Sequence, residues 1–526
     1  MRYLLTVAAI LWAMLLTCPA NAQEPLHQQI DMHIAAKADG ALNPAASDAE
    51  FVRRIYLDLA GRIPTRDETQ RFLADTSPDK RVKLIDELLV SPQYAAHMAS
   101  VFHVMLTERL GEHADWQAWL TESFAANKPW DQMCREMLAP HSDEADPARG
   151  AGFFLSKRLE NYGQNPVDHP ALVRDVGRLL LGVDLQCAQC HDHPQIDDYK
   201  QIDYQGLYAY FANVSLRSGV KFPAVQEKLA QKVEFQSVFV SGKHEVALRL
   251  PFGMETAIPA FEKGQEFVTL PDRKTNHPGV LKFSSLQTLS SDLPQPTTPG
   301  FSKNIVNRLW WHMQGRGLVH PLDLHHSANK PSHPELLETL SNEFAARQYD
   351  IQWLLREIAL SDTYQRSSVL PADSRDIALT SYRVAIEKGL SPEQMARSLW
   401  TATGPWTDDK LLTDLQTRCV KALAQPPREP ETDFAPGVKG ALFLSHDSLL
   451  LSLLEPQAGN LIDRLQKLDT AEAAAKELYL AVYSREPSDD ERQAFVERWH
   501  ATEERDRLLK DYLWAMLSSN EFAINH

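Results

Sequence analysis

The chain has 526 residues, a formal net charge of −16 at pH 7 and five cysteines. That charge argues against nucleic acid or an anionic membrane as a partner, because both bind proteins through basic surfaces. The length allows two to four domains, and so few cysteines exclude a disulfide framework as the main source of stability. We therefore expect a globular protein whose domains are held together by apolar burial.

The N-terminus has the order of a secretory signal peptide. Arg2 precedes an apolar run over residues 3–16, and a small-residue cleavage site ends at Ala22, so we expect export to the periplasm or the medium. Thr17 is larger than the residues that usually precede a lipidated cysteine, which disfavours a lipid anchor at Cys18. No later stretch reaches 18 apolar residues, so we expect no transmembrane segment in the mature chain.

Most of the chain has the hydrophobic spacing of amphipathic helices that begin at capping residues. A serine or threonine followed three residues later by glutamate or glutamine marks many of these starts, which is the pattern of a capping box. The starts with this pattern are Ser47, Thr65, Ser332, Ser391 and Ser488. We predict a mainly α protein with multi-helical N- and C-terminal domains.

The two ends of the chain share a weak repeat. From Tyr56 to Phe72 the sequence has an aromatic residue, an arginine, a proline before a capping residue, and an acidic pair. The stretch from Tyr479 to Phe495 repeats them at the same offsets. Ancestral duplication would explain the similarity, but we favour a shared helical-hairpin solution to capping and packing.

A small β-rich module interrupts the helices. Apolar residues alternate from Val233 to Val240, a turn follows over 241–243, and the alternation resumes up to Leu250, so we predict a β-hairpin. Prolines become frequent afterwards, which is typical of a linker. The predicted organisation is a signal peptide over 1–22, a helical domain over 23–220, the β-rich module and linker over 221–300, and a helical domain over 301–526.

The first helical domain contains the C-x-x-C-H box Cys187-Ala188-Gln189-Cys190-His191. Two thiols three positions apart can form thioethers with both vinyl groups of one haem, and the adjacent imidazole can bind the iron. We therefore predict haem c as the cofactor, with Cys187 and Cys190 as its anchors and His191 as the proximal ligand. Export agrees with this prediction, because haem c is attached outside the cytoplasm.

Two other interpretations of the box stay open. One is a non-haem zinc or iron ion with thiolate, imidazole and carboxylate ligands. Its candidate ligands are Cys187, Cys190, His191, Asp192 and His193. The other is a disulfide between the two cysteines of the box, either structural or redox-active.

The second axial ligand of a haem is not evident from the sequence. No methionine occurs between His191 and Met254, although small cytochromes c often use a downstream methionine. A distal histidine is one option, although each histidine taken alone is more often a surface or capping residue. The candidates are His97, His103, His113, His169 and His193. A five-coordinate haem is the other option, and its open face would favour ligand or peroxide chemistry.

A second polar cluster lies in the C-terminal domain. Asn307-Arg308 with Trp310-Trp311, followed by Gly315-Arg316-Gly317, could form a polar pocket with aromatic walls for a sugar or an anion. Further polar residues close in sequence are Asp323, His325, His326 and His333. A structural interpretation is stronger, in which Gly315 and Gly317 form a turn, both arginines pair with carboxylates and His333 lies in the first turn of a helix.

Two groups of motifs carry a family resemblance. The first group is RRIYLDL over 53–59, GRIPT over 61–65, and the stretch from Leu181 through the box to Pro194. The second group is VNRLW over 306–310, GRGLV over 315–319, PSHPELL over 331–337 and NEF over 520–522. With these motifs the chain resembles secreted planctomycete-type proteins of unknown function, which pair a planctomycete cytochrome-C-like domain with an uncharacterised C-terminal partner domain. The resemblance covers most of residues 45–526 and implies a secreted protein without an assigned reaction.

These observations lead to one main hypothesis and two alternatives. The main hypothesis is an exported haem c protein that serves electron transfer or a related redox step, with an unidentified redox partner or envelope protein. The first alternative is a secreted non-haem metal-dependent protein of a hydrolytic, carbohydrate-related kind. The second is a structural or interaction protein of the cell envelope with a disulfide in the box. The chain has no nucleophile elbow, phosphate loop or H-E-x-x-H motif, so the sequence assigns no enzymatic reaction.

Overall fold

The computed structural model describes residues 24–141, 143–160, 167–239, 241–371, 377–427 and 437–526. The predicted signal peptide, Cys18 and Val240 lie outside these ranges. The fold is mainly α, with most of its small two-stranded sheets in the middle of the chain, as the sequence predicts. Among the helices of the described ranges, none combines the length and the apolar character needed to span a bilayer.

Short helices joined by tight turns form the N-terminal part. They are α1 (Leu26–Lys37), α2 (Asp48–Ala60), α3 (Arg66–Ala74), α4 (Lys80–Leu89), α5 (Pro92–Thr107), α6 (Ala114–Ala125), α7 (Trp130–Leu138), α8 (Phe153–Leu159), α9 (His169–Asp175) and α10 (Gln201–Phe211). Helix α9 continues into a π-helical turn (Val176–Leu180), and 3-10 turns occupy Pro147–Gly152 and Cys187–Gln189.

Antiparallel ribbons form the middle of the chain. Their pairs are β1 (Val214–Leu216) with β2 (Val225–Glu227), β3 (Val233–Phe235) with β4 (His244–Val246), β5 (Leu248–Arg249) with β6 (Glu255–Thr256), and β7 (Phe267–Thr269) with β8 (Val280–Leu281). The predicted hairpin is confirmed, with Val233 opposite Val246, but it is shorter than the alternation suggests. Its first strand ends at Phe235, and the N–H of Val238 donates to the carbonyl of Cys190 outside the ladder.

Helices return in the C-terminal part, beginning with α11 (Ser285–Asp292) inside the stretch predicted as a linker. The others are α12 (Phe301–Gln314), α13 (Pro334–Ala346), α14 (Ile351–Leu360), α15 (Asp362–Gln365), α16 (Pro392–Thr403), α17 (Asp409–Leu423), α18 (Val438–His446), α19 (Ser448–Ser452), α20 (Leu461–Gln466), α21 (Ala471–Val482), α22 (Asp489–Ala501), α23 (Arg505–Leu517) and α24 (Asn520–Ala523). Strands β9 (Lys388–Gly389) and β10 (Ile524–Asn525) pair near the C-terminus, and a 3-10 turn occupies Leu379–Ser381. The predicted cap at Ser332 is wrong, because α13 begins at Pro334 with His333 in the capping position.

The buried apolar side chains form two cores. The larger core collects residues from Leu26 to Tyr382, so it joins helices from both predicted helical domains. The smaller core collects residues from Leu390 to Phe522, together with Leu57 and Ile63. Helix α2 contributes to both cores and is buried from Glu50 to Ala60, so it is the central element of the fold.

A buried carboxylate on α2 connects distant parts of the chain. Asp58 is 1% exposed. It accepts hydrogen bonds from Tyr364 Oη at 2.8 Å, Lys388 Nζ at 2.6 Å and Asn525 Nδ2 at 2.7 Å. Its backbone oxygen also lies 3.0 Å from His312 Nε2. Because a buried carboxylate is stable only when it is paired and hydrogen-bonded, Asp58 fixes these four segments against α2.

A buried arginine on the same helix binds backbone carbonyls. Arg53 donates to the carbonyl oxygens of Val482 at 3.1 Å and Phe522 at 3.0 Å, near the ends of α21 and α24. Burial lowers the pKa of Arg53 to about 10. Carbonyls at helix C-termini carry partial negative charge, so they stabilise the guanidinium without a contacting carboxylate. This interaction joins the smaller core to α2.

The sequence repeat is also a structural repeat. Arg62 forms a two-pronged ion pair with Glu68 at 2.7 and 2.8 Å, and Arg485 forms the same pair with Glu491 at the same two distances. Both glutamates complete capping boxes, with Thr65 at the start of α3 and Ser488 at the start of α22. Each arginine also lies over a tyrosine ring, at 5.2 Å in the first copy and 5.3 Å in the second. The predicted pair of similar helical hairpins is confirmed.

We predict that Asp58→Asn destabilises the fold strongly. The amide cannot neutralise the buried Lys388 ammonium, so the free energy of unfolding should fall by about 3 kcal/mol or more. The matched control is Asp67→Asn, because that carboxylate is 78% exposed and pairs with Arg66 at the surface. The control substitution should lower the free energy of unfolding by less than about 1 kcal/mol. Urea unfolding followed by circular dichroism measures both, and similar losses in the two variants would contradict the role of Asp58.

We also predict that the protein loses stability between pH 7 and pH 5. Burial lowers the pKa of His103 and of His325 to about 4. An unfolded histidine has a pKa of about 6.5, so the unfolded chain binds protons in this interval that the folded chain does not. When the pH falls from 7 to 5, each of these two histidines should therefore lower the free energy of unfolding by about 1–2 kcal/mol. Neither should have an effect above pH 7.

Urea unfolding at several pH values, with His103→Gln beside the wild type, measures this dependence. Glutamine keeps an acceptor for Trp116 Nε1, which lies 3.1 Å from His103 Nδ1. Between pH 7 and pH 5, the free energy of unfolding of the variant should fall by about 1–2 kcal/mol less than that of the wild type. An unchanged pH dependence would show that His103 does not titrate as we expect.

Candidate functional site

The C-x-x-C-H box forms a surface turn at the end of a buried segment. Gly182, with φ of +74°, ends the helical stretch that precedes it, as the sequence predicts. The box then begins as a 3-10 turn in which the Ala188 methyl group is buried and both cysteines are exposed. Cys187 and Cys190 are free thiols. Both sulfur atoms are therefore accessible on the same turn.

Helix α10 holds the box in place. The side chain of Gln205 donates to the carbonyl of Gln189 at 2.9 Å, and the N–H of Gln201 donates to Asp192 Oδ1 at 2.9 Å. The second of these bonds satisfies a free N–H in the first turn of α10. On the other side, the N–H of Val238 reaches the carbonyl of Cys190 at 3.2 Å. The box is thus attached to both the helical domain and the β-rich module.

His191 has the hydrogen bonding expected of a metal ligand. Its Nδ1 lies 2.6 Å from the carbonyl oxygen of Asp192. Because a carbonyl only accepts hydrogen bonds, Nδ1 carries the proton and Nε2 keeps a free lone pair. Metal-binding histidines generally donate their other ring N–H to such a group. The His191 side chain and the two free thiols therefore fit the attachment of haem c.

His193 has the opposite arrangement. Its Nδ1 accepts hydrogen bonds from the backbone N–H groups of Gln195 at 3.1 Å and Ile196 at 2.9 Å. In a neutral ring the proton is then on Nε2, which leaves that nitrogen without a lone pair for a metal. Asp192 is also engaged, through Oδ1, with Gln201. Within the described residues, no group of three or more His, Cys, Asp or Glu side chains is arranged to hold a metal ion.

The other candidate distal histidines have structural contacts of their own. His103 accepts the indole N–H of Trp116, and His113 accepts the N–H of Asp115 at the start of α6. His169 Nε2 lies 2.8 Å from the carbonyl of Val214. His97 is buried beside His312, with ring centroids 5.7 Å apart. Of the five candidates, only His193 shares a loop with the box.

The exposed apolar side chains next to the box come from the β-rich module. Phe239 is 76% exposed and its ring centroid lies 4.7 Å from that of His191. Val238 beside it is 67% exposed. The aromatic residues of α10, by contrast, lie mainly in the larger core, including Tyr204 and Tyr210. The alternation around Val238 predicts a strand there, and no local pattern indicates that this segment turns towards the box.

The second polar cluster surrounds a cavity of about 420 Å³ between the N- and C-terminal helices. Arg308 pairs with Asp323, as the structural interpretation predicts. Arg316 lines the same cavity, and no carboxylate of the described residues forms an ion pair with it, so for this arginine the structural interpretation is wrong. Trp311 is also a wall residue, and His333 precedes α13. His325 and His326 lie elsewhere, close to Gly182 and Tyr199.

Comparison with known proteins gives two domain matches and one weak similarity. A 142-residue stretch is 27% identical to an anthocyanidin 3-O-glucosyltransferase of Gentiana triflora, covering 27% of this chain and 29% of that protein. The chain therefore matches less than a third of that relative's length, which is too little to show a shared family. No solved structure matches the chain.

The domain matches agree with the motifs. Residues 29–216, which include the box, match the family model PSCyt2, described as a protein of unknown function (DUF1549). Residues 287–421 match the family model PSD1, described as a protein of unknown function (DUF1553). The chain thus contains the pair of domains of unknown function that its motifs predict, in the predicted order.

Proposed function

We propose that the protein is an exported haem c protein that transfers single electrons. The observation that carries the proposal is the geometry of the box: two free, exposed thiols on one turn, followed by a histidine whose Nδ1 is bound to a carbonyl 2.6 Å away. That arrangement places two thiol sulfurs and one imidazole lone pair within a stretch of five residues. When bound, haem c would supply reversible one-electron chemistry.

The protein itself would hold Cys187 and Cys190 in position for the haem and would shield the iron ligand His191 from water. The turn over Cys187–Gln189 and the bond to Asp192 hold the two sulfurs and the His191 ring in a defined order. Phe239 and Val238 would cover one side with apolar surface, which lowers the access of water. The surface position of the box would allow a partner to approach closely. The net charge of −16 would favour a cationic redox partner.

Export is part of the same proposal. Covalent attachment of haem c takes place outside the cytoplasm, and the segment before Ala22 has the charge, apolar run and small residues of a signal peptide. A free thiol pair outside the cytoplasm would otherwise tend to oxidise. Thioether formation with haem would instead use both sulfur atoms permanently.

We predict covalent haem on the full-length protein made in a host with haem-c maturation. Intact mass should increase by one haem, and the absorbance spectrum should show a Soret band. Cys187→Ala with Cys190→Ala should abolish the covalent haem, whereas Cys419→Ala, which changes a buried thiol of the smaller core, should retain it. Stoichiometric zinc or iron without haem, or a mass two hydrogens lighter with no metal, would each contradict the proposal.

We predict that His191 and His193 are not equivalent. His191→Ala should shift the Soret band and weaken the iron's axial ligation, because it removes the only box imidazole with a free lone pair. His193→Ala should leave the spectrum nearly unchanged, because its ring accepts two backbone hydrogen bonds. Absorbance and magnetic circular dichroism of the two matched variants measure this. The reverse result would assign the ligand to His193 instead.

A further inference from the structure

The cavity between the N- and C-terminal helices has the size and lining of a small-molecule site. Its volume of about 420 Å³ lies within the range of about 300–1,000 Å³ that is common for such sites. Apolar residues such as Phe102, Met105 and Leu309 form part of its wall. Polar side chains from α2, α5 and α12 converge on the rest. None of these residues belongs to the box.

Most charged side chains along the cavity form ion pairs within the described residues, and the exceptions are Glu387 and Arg316. Asp58 pairs with Lys388 at 2.6 Å, and Glu393 pairs with Arg109 at 2.7 Å. Arg178 forms ion pairs with both Glu108 and Asp323 on the same wall. The remaining lining acid, Glu387, is exposed. Of the described residues, the acidic side chains Asp58, Glu108, Asp323 and Glu393 in the cavity wall therefore all have cationic partners.

Among the described residues, Arg316 has no carboxylate as an ion-pair partner. It follows α12 directly and lines the cavity. Its Nε atom is buried and has no hydrogen-bond partner among the described residues. A buried guanidinium N–H without an acceptor is unfavourable, and a planar guanidinium matches carboxylate oxygens particularly well. Arg316 thus points to an anionic ligand.

Other buried polar atoms in the same wall also lack partners in the described chain. His97 is 2% exposed, and neither ring nitrogen has a well-aligned hydrogen bond among the described residues, although the Asp58 backbone lies close to the ring. Burial, with the nearby His312 and Arg397, keeps the pKa of His97 well below its usual value. A neutral ring offers one donor and one acceptor. Asn525 Oδ1 and Glu108 Oε2 are buried acceptors without a hydrogen bond, although Glu108 Oε2 also lies 3.9 Å from Arg158 Nη2, and they fit hydroxyl groups.

We propose that this cavity binds a small hydroxylated anion of the sugar-acid class. The carboxylate would be received by Arg316, and the hydroxyl groups by His97, Asn525 and Glu108. Trp311, a partly exposed wall residue, would supply an aromatic surface for the ring. This site is separate from the box and would bind its ligand whether or not the box carries haem.

The test is isothermal titration calorimetry on the full chain with D-glucuronate as the probe. D-Glucose has the same ring without the carboxylate, and acetate has the charge without the ring, so both should bind at least tenfold more weakly. Arg316→Gln should weaken glucuronate binding by tenfold or more. Arg498→Gln, a surface change on α22, is the matched control and should bind like the wild type.

Circular dichroism first establishes that both variants are folded. Undiminished binding by folded Arg316→Gln, equal binding of glucose and glucuronate, or no binding of glucuronate by the folded wild type would each overturn the proposal. Cys187→Ala with Cys190→Ala should bind glucuronate normally. A failure of haem attachment therefore leaves this test unaffected.

Discussion

The fold depends on the burial of one carboxylate. Asp58 lies on a helix that is buried along almost its whole length, and three side chains from distant parts of the chain donate to it. Burying an ion costs several kcal/mol unless its partners are in place. The same carboxylate therefore holds the segments that carry Tyr364, Lys388 and Asn525 against α2. The last two of these segments form the short β9–β10 pair, and Asp58, Lys388 and Asn525 line the cavity.

This constraint gives the RRIYLDL motif a physical explanation. Its apolar residues supply both cores, since Ile55 packs in the larger and Leu57 in the smaller. Its charged residues are structural, because Arg53 binds the carbonyls at the ends of C-terminal helices and Asp58 binds the segments described above. The motif therefore marks the junction of the two matched domains. Asp58 also lies in the wall of the cavity, so the junction shapes that cavity as well.

Local features were predictable from the sequence, and long-range ones were not. The hairpin repeat was visible because each ion pair, such as Arg62 with Glu68, joins residues six positions apart in the sequence. The box was visible because all of its residues lie within one five-residue stretch of the sequence. The cavity was not, because its wall combines residues as distant as His97, Arg316 and Asn525, and only the folded chain brings them together. Phe239 was missed because the alternation of its segment predicts a strand, whereas the strand ends at Phe235 and Val238 bonds to Cys190, far away in the sequence.

One short segment connects the box with the interior. Arg178, in the π-helical turn, pairs with Glu108 and Asp323 in the cavity wall. Four residues later, Gly182 accepts a hydrogen bond from the N–H of His325, and Val183 forms a bridge with Leu324. The box begins five residues after Gly182, so it is mounted on a segment that the C-terminal domain holds by ion pairs and backbone hydrogen bonds. For the electron transfer proposed above, the pairing of the two domains would hold the box in one geometry.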